Sequence, residues 1–211
     1  NLHMKYRAAL IVDNLHIAKW QKSALDGAAE NIEIVLILNC QNTKTKKNYF
    51  KHFFYYVFNF FLMKNQLTKK QKFKNANSVL MSFDSIYSGA WQSLPLDIYD
   101  SINKEKIDVI IKFGMNLLRI DDKYQALPIL SYHHGDPSSY RGRPAGFYEL
   151  INNEKTTGII VQRLSNELDA GVILAFTESK IVSYSYKKTA LNFYSNSSTL
   201  LNTAIINLFN K

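Results

Sequence analysis

Apolar and polar positions in this chain fall in blocks, and the blocks predict an order of strands and helices. The stretch "YRAALIVDN" is a short apolar run that stops at Asp13 and Asn14, as a buried first strand would. In "HIAKWQKSALDGAAE" the apolar Ile17, Trp20, Ala24 and Ala28 recur near helical spacing. "IEIVLILNC" is a run rich in β-branched residues, the pattern of a strand buried on both faces. Strand, helix and strand in about 35 residues make the βαβ pattern of an α/β sheet. No GxGxxG follows the first strand, so a dinucleotide fingerprint is lacking.

Later blocks continue the pattern. "IDVIIKFGMNLL" predicts a buried strand running into a turn at Gly114, and "LPILSYHHGD" a strand that ends in a polar cluster. "TTGIIVQRLSNELDAGVILAF" predicts two strands around a polar turn at residues 165–171, and residues 187–210 a C-terminal helix. The expected fold class is α/β, a Rossmann-like open and mostly parallel sheet flanked by helices. No repeat, low-complexity linker or domain boundary is evident, so one domain over residues 1–211 is expected, with a helical insert around 44–75.

That insert differs in character. "YFKHFFYYVFNFFLMK" places Phe50, Phe53, Phe54, Val57 and Phe61 on one helical stripe, with Lys51, Tyr55 and Asn59 along a narrower polar face. Nine lysines and no acidic residue lie between Ile34 and Phe83; without them the chain's 26 basic residues fall to 17, equal to its 17 acidic ones. The net charge of +9 is therefore local to this segment. An amphipathic helix packed on the sheet or on a partner subunit is the plain reading, which leaves a homodimer open. A peripheral membrane contact through residues 49–63 is a second reading. A nucleic-acid patch is disfavoured because the balanced remainder offers no second basic stripe.

Composition narrows the class. With 46% apolar residues and 13% aromatics the chain is globular. A single cysteine, Cys40, excludes an intrachain disulfide framework and a multi-cysteine zinc site, and no metal is expected. No apolar run is long enough to span a membrane. The opening "NLHMKYRAALIVDN" does not read as a signal peptide, and Asn1–His3 ahead of Met4 read as a tag remnant. The cytoplasm is the expected location.

Candidate chemistry concentrates in "SYHHGDPSSYRGRPAGFYEL", residues 131–150, which holds two of the five histidines and two of the four prolines. Ligands of open α/β sheets bind at the carboxyl ends of strands. His133 and His134 follow one predicted strand, Gly114 follows another, and Asp169 lies in the turn of "SNELDAGVI"; these loops could converge at one edge. A histidine oriented by a carboxylate serves as a general base or an electrostatic stabiliser, although a structural hydrogen bond is the commoner use of such a pair. Asp136 before Pro137 reads as a turn former. Phe147 and Tyr148 read as the start of a helix beneath the cluster.

From "DVIIKFG" through "SYHHGDPSSYRGRPAGFYELINNEKTTGIIVQRLSNELDAGVIL", about residues 107–176, the chain resembles the folate-dependent formyltransferase superfamily. That family's signature is Asn-x-His, a proline-containing loop, Tyr-Arg-Gly, a Thr-Gly strand and Asp-x-Gly. Counted back without a gap from Tyr140, Arg141 and Gly142, His133 falls on the family's catalytic histidine. Asp169 falls on its aspartate, and Thr157 with Gly158 on the Thr-Gly strand. The wording "HHGD…YRGRP" is similar to a less characterised branch. The resemblance implies a formyltransferase fold, the cofactor 10-formyltetrahydrofolate and attack of an amine on its formyl carbon.

It also implies roles. His133 is the base or electrostatic partner and Asp169 orients it. Ser131 stands where the family has an asparagine that donates to the oxyanion; its hydroxyl, or His134 next door, would supply that donor. Gly114, Gly135, Arg141 and Gly142 would approach the folate. Arg143 and Tyr140 would contact the substrate, Arg143 through its fixed positive charge, unless it pairs with Asp136 or Glu149. The acceptor is expected to be a small-molecule amine, an amino sugar linked to a nucleotide, chosen by elimination. A methionyl-tRNA acceptor is disfavoured because the chain stops soon after its last predicted helix. Glycinamide ribonucleotide is disfavoured because "LIVDNLHIAKW" has no glycine in the turn after the first strand. A hydrolase releasing formate from the same folate, and a non-catalytic binding module, are the rival classes.

Overall fold

The apolar runs become the inner strands of one twisted sheet. The computed structural model describes residues 4–44, 57, 64–135, 145–168 and 170–210. In chain order the elements are β1 (Tyr6–Val12), β2 (His16–Ala18), α1 (Lys19–Gly27), β3 (Ile32–Cys40), β4 (Lys70–Lys72), β5 (Val79–Phe83), β6 (Ile86–Ser88), β7 (Trp91–Ser93), α2 (Leu96–Lys104), β8 (Val109–Lys112), β9 (Leu117–Arg119), β10 (Ile129–His134), α3 (Phe147–Ile151), β11 (Thr156–Arg163), β12 (Val172–Lys180) and α4 (Tyr186–Phe209). The expected aromatic helix of residues 49–63 lies outside the described residues apart from Val57.

Among the described residues the main sheet has seven strands in the order β12-β11-β10-β8-β1-β3-β5. From β10 to β5 every pairing is parallel, and β11 and β12 add to β10 antiparallel. The strand order reverses at β1, which pairs with β3 on one side and with β8 on the other. This is the mostly parallel, Rossmann-like sheet that the run pattern predicts. A two-stranded piece, β2 with β4, and a three-stranded piece, β6-β7-β9, lie beside it.

Alternation along the central strands explains why they read as continuous apolar runs. Ala8, Leu10 and Val12 enter one core with α1 and α4, whereas Ala9 and Ile11 enter a second core with α2, Met115 and Leu118. Leu10, Ile11, Ile110, Ile111 and Leu130 are essentially inaccessible, each contributing about 1.5–3 kcal/mol by burial.

Three features depart from the sequence pattern. Residues 16–18 are not the first turn of the helix but a strand paired with β4. The stretch "IDVIIKFGMNLL" is split: β8 ends at Lys112, Met115 takes a positive φ of 61°, and Leu117–Arg119 joins the small sheet instead. The edge strand β5 and the nine-residue α2 were not anticipated. β5 leaves Val79 and Leu80 half exposed, and α2 buries only Ile98, Tyr99 and Ile102, so neither carries a strong periodic signal.

Gly114 sets how closely β8 approaches β1. A Cβ there would lie 2.4 Å from the Val12 carbonyl carbon and 2.5 Å from the Asp13 nitrogen, backbone atoms that cannot step aside. Gly114→Ala is therefore expected to destabilise the fold by about 2 kcal/mol or more. Urea unfolding checks this, and a midpoint equal to that of the wild type would contradict the close approach.

Candidate functional site

β10 presents its residues alternately to the two faces of the sheet. Ile129 enters the second core and Leu130 the first. Ser131 and His133 consequently point to the second face, and Tyr132 and His134 to the first. Across the sheet, Ile11 and Ser131 both register with Lys112, so Ile11, Lys112 and Ser131 form one row. Asp13, Gly114 and His133 each lie two residues further on, at the carboxyl end of the sheet where its strand order reverses.

The second face is polar at this end. The Asp13 carboxylate accepts the Thr43 hydroxyl at 2.6 Å and the Met115 amide at 2.8 Å through Oδ1. Thr43 in turn accepts the side-chain amide of Gln92 at 3.1 Å. Gln92 is wholly buried, donates also to Ser85 Oγ at 2.8 Å, and accepts the Asn116 amide at 2.8 Å. Lys112 is half-buried and stands in register with Ile11 and Ser131. The Ser131 hydroxyl makes a contact of only 3.5 Å, to the Tyr132 carbonyl, which leaves it able to donate to a ligand. Among the described residues no group of three or more His, Cys, Asp or Glu could hold a metal ion.

The first face is aromatic. His134 stands within 5.0–5.8 Å, centroid to centroid, of Trp20, Tyr194, Phe193 and Tyr132. Its Nε2 lies 2.7 Å from Ser197 Oγ, whose hydrogen goes to the Phe193 carbonyl at 2.7 Å. The serine oxygen must then accept, so His134 carries a proton on Nε2. Although some of its surface is exposed, burial among these rings pushes its pKa down to about 3, and His133 adds to that effect. Tyr132 donates to the Ser197 carbonyl at 2.5 Å and accepts the Leu201 amide at 3.0 Å; burial raises its phenol pKa, against the effect of that amide.

The sequence expectations meet this geometry unevenly. Ser131 and His133 share a face, as a donor and a base around one carbonyl require. His134 does not join them, because neighbouring residues of a strand point to opposite faces, and it bonds helix α4 instead. Gly114 has its close neighbour in the β1 backbone. Gly135 adopts a φ of 102°, available to glycine, and donates its amide to the Gly158 carbonyl as the chain leaves β10. Glu149 is buried and accepts the Thr157 hydroxyl at 3.0 Å, so Thr157 ties α3 to β11.

The β11–β12 connection does not leave from the same edge as the histidines. β11 is antiparallel, and Arg163 pairs with Leu130, so residues 164–168 depart beside the amino end of β10. They fold back over the second face: Leu164 packs against that core, and Asn166 accepts the Ile120 amide and donates to the Ile120 carbonyl, both at 2.8 Å. Asp169, Asp136, Tyr140, Arg141, Gly142 and Arg143 lie outside the described residues. Asp13, Lys112 and Gln92 had not been singled out as site residues. Asp13 was visible only as a strand end, and a lone glutamine in a three-residue strand gives no signal.

No protein-family model matches the sequence, and no curated protein matches it. Solved structures do match in fold. Glycinamide ribonucleotide transformylase 1 from Geobacillus kaustophilus aligns over 96% of this chain and 97% of its own, with a TM-score of 0.64 and 14% identity. Phosphoribosylglycinamide formyltransferase from Campylobacter jejuni aligns over 98% of both chains, with a TM-score of 0.58 and 16% identity. A formyltetrahydrofolate deformylase from Pseudomonas putida has a TM-score of 0.61 and 10% identity over 96% of this chain, which spans 65% of that protein's length. The chain thus has the formyltransferase fold; identities this low carry the likeness no further.

His134 makes stability depend on pH. Between the ordinary histidine value of about 6.5 and the depressed one, the unfolded chain binds a proton that the native chain does not. Its contribution is complete above that ordinary value and is lost as pH falls towards the depressed one, by up to ~1.4 kcal/mol per pH unit. His134→Gln, whose amide can still donate to Ser197, should flatten this slope. Urea midpoints measured from about pH 7 to about pH 4.5 should converge between wild type and variant; a constant offset would mean that His134 is not held neutral.

Proposed function

We propose that this protein transfers a formyl group from 10-formyltetrahydrofolate to a primary amine, that of an amino sugar. The observation that carries the reading is the pairing of Ser131 and His133 on one face of β10, beside Lys112 and at the carboxyl end of the sheet. Structures of the same fold are named for formyl chemistry of two outcomes, transfer to glycinamide ribonucleotide and deformylation of formyltetrahydrofolate.

The residues suit a formyl donor. The bound folate supplies an acyl carbon activated towards a nucleophile. Ser131 donates a hydrogen bond to the formyl oxygen as negative charge develops there, the role in which loss of one donor costs about 2.7–4 kcal/mol. His133 takes the proton released when the amine nitrogen bonds to the formyl carbon, and that proton leaves with the folate nitrogen as the old C–N bond breaks. Asp169 is proposed to orient His133, Arg141 and Gly142 to hold the folate, and Tyr140 and Arg143 to contact the acceptor. His134 is left as a positioning residue behind the strand. Cys40 is a buried free thiol, which fits a reducing compartment, and we place the reaction in the cytoplasm.

A second reading is hydrolysis of the same donor, favoured by the deformylases among the matching structures. Water then replaces the amine, and His133 takes its proton. The two readings differ in whether product formation requires an added amine.

A thermal shift with 5-formyltetrahydrofolate is the first check. At a hundredfold excess over its dissociation constant a ligand adds ~2.7 kcal/mol, a rise on the order of 5–10 °C for a chain of this size. With formyl transfer then assayed, Ser131→Ala should lower kcat by about 10²–10³, and His133→Ala should abolish transfer without altering the urea midpoint. An unchanged rate in His133→Ala would sink the site assignment.

A further inference from the structure

The crevice where the strand order reverses contains a carboxylate, and the start of the helix beside it is occupied by other chain segments. Open α/β sheets receive the phosphate of a ligand at the amino end of the helix after the first strand, through free backbone amides. Here the first three of those amides are taken. The Ala18 amide donates to Gln21 Oε1 at 2.9 Å, the Lys19 amide to the Lys69 carbonyl at 3.0 Å, and the Trp20 amide to the Leu67 carbonyl at 3.0 Å. The β2–β4 pairing thus closes the start of α1. In the preceding turn Asn14 Oδ1 takes up the His16 amide at 2.8 Å, and the Leu15 carbonyl accepts the Phe73 amide at 2.8 Å.

In place of an anion site the crevice presents Asp13. Its Oδ1 is clamped by Thr43 and Met115, and Thr43 is clamped by the buried Gln92. The exposed carboxylate is therefore oriented from behind, and among the described residues no hydrogen bond is made by its Oδ2. Asp13 and His133 lie at one level of the sheet with β8 between them, a separation of two strand spacings or roughly 10 Å. A single sugar ring spans much of that distance.

We propose that Asp13 is the specificity-determining residue of the acceptor site. Its Oδ2 accepts hydroxyl hydrogens of an amino sugar whose amine faces His133, and the crevice rejects the phosphomonoester handle of a ribonucleotide acceptor. The proposal deepens the formyl-transfer reading and rests on it for the direction in which the amine faces. A phosphate dianion placed beside Asp13 would meet like charge there and would find the amides of Ala18, Lys19 and Trp20 already bonded, whereas a hydroxylated ring meets an oriented acceptor.

Calorimetric titration of the full chain with glucosamine and with ribose 5-phosphate tests this, on wild type and on Asp13→Asn. The asparagine keeps the Oδ1 acceptor for Thr43 and Met115, and turns Oδ2 into a donor. Expected are saturable glucosamine binding, weaker ribose 5-phosphate binding, and an increase of at least about tenfold in the glucosamine Kd of the variant. Ribose 5-phosphate binding wild type as tightly as glucosamine would overturn the proposal without any variant. So would no glucosamine binding, or the same Kd in both proteins. The thermal shift with 5-formyltetrahydrofolate separates the two levels. Glucosamine binding without a folate shift sinks formyl transfer and leaves the sugar site standing. A folate shift without glucosamine binding sinks only the acceptor assignment.

Discussion

The hydroxyl of Tyr132 stands between the Ser197 carbonyl and the Leu201 amide of α4, two groups that an undisturbed helix joins to each other. It donates to one and accepts from the other, so strand β10 is fastened to the longest helix at one level along its axis. His134, two residues on, bonds Ser197 from the same side. The aromatic rings of Trp20, Phe193 and Tyr194 fill the space around both. With Tyr132 and His134 held on this face, Ser131 and His133 have to occupy the other. A slip of one residue would exchange the pairs. It would put Ser131 and His133 among the aromatic rings and take Tyr132 and His134 away from their partners in α4.

The two faces of the sheet are therefore chemically unlike at their shared carboxyl end. The first is aromatic, and keeps its one histidine neutral. The second carries the Gln92–Thr43–Asp13 chain of hydrogen bonds, then Lys112, Ser131 and His133. A buried amide such as Gln92 would be costly if any of its bonds were missing. It has partners on both its nitrogen and its oxygen, which tie the segments after β3, β5 and β8 to β7, and Thr43 extends the chain to Asp13 after β1. Gly114 belongs to the same construction, since only a residue without a Cβ lets the β8 turn come against Val12 and Asp13. The polar groups at this end are held in place by backbone contacts on several sides. That is what a site for small, hydrogen-bonding ligands requires.

The main sheet was largely legible in the chain itself. β1, β3, β8, β10, β11, β12 and α4 fall where apolar runs or helical periodicity predict them, because strands buried on both faces need unbroken apolar residues and a long helix needs a repeating stripe. The pairing of Ser131 with His133 also follows from sequence, since residues two apart in a strand share a face. Edge and satellite elements were not legible. β5 is half exposed, and β2, β4, β6, β7 and β9 are three residues each, too short for any period to emerge.

What the tertiary structure alone decided lies between distant segments. The separation of His134 from His133 is implicit in strand alternation, but its attachment to Ser197 depends on a helix 63 residues away. The closing of α1 by the carbonyls of Leu67 and Lys69 depends on a pairing across the insert that no local pattern announces. The departure of the β11–β12 turn from the amino end of β10 follows from the antiparallel sense of β11. Periodicity cannot report that sense, because a strand buries the same residues whichever way it runs. Residue spacing along the chain thus determined the strands and the candidate pair upon them. Which face and which edge each neighbour reaches was decided by hydrogen bonds between segments that the chain order keeps apart.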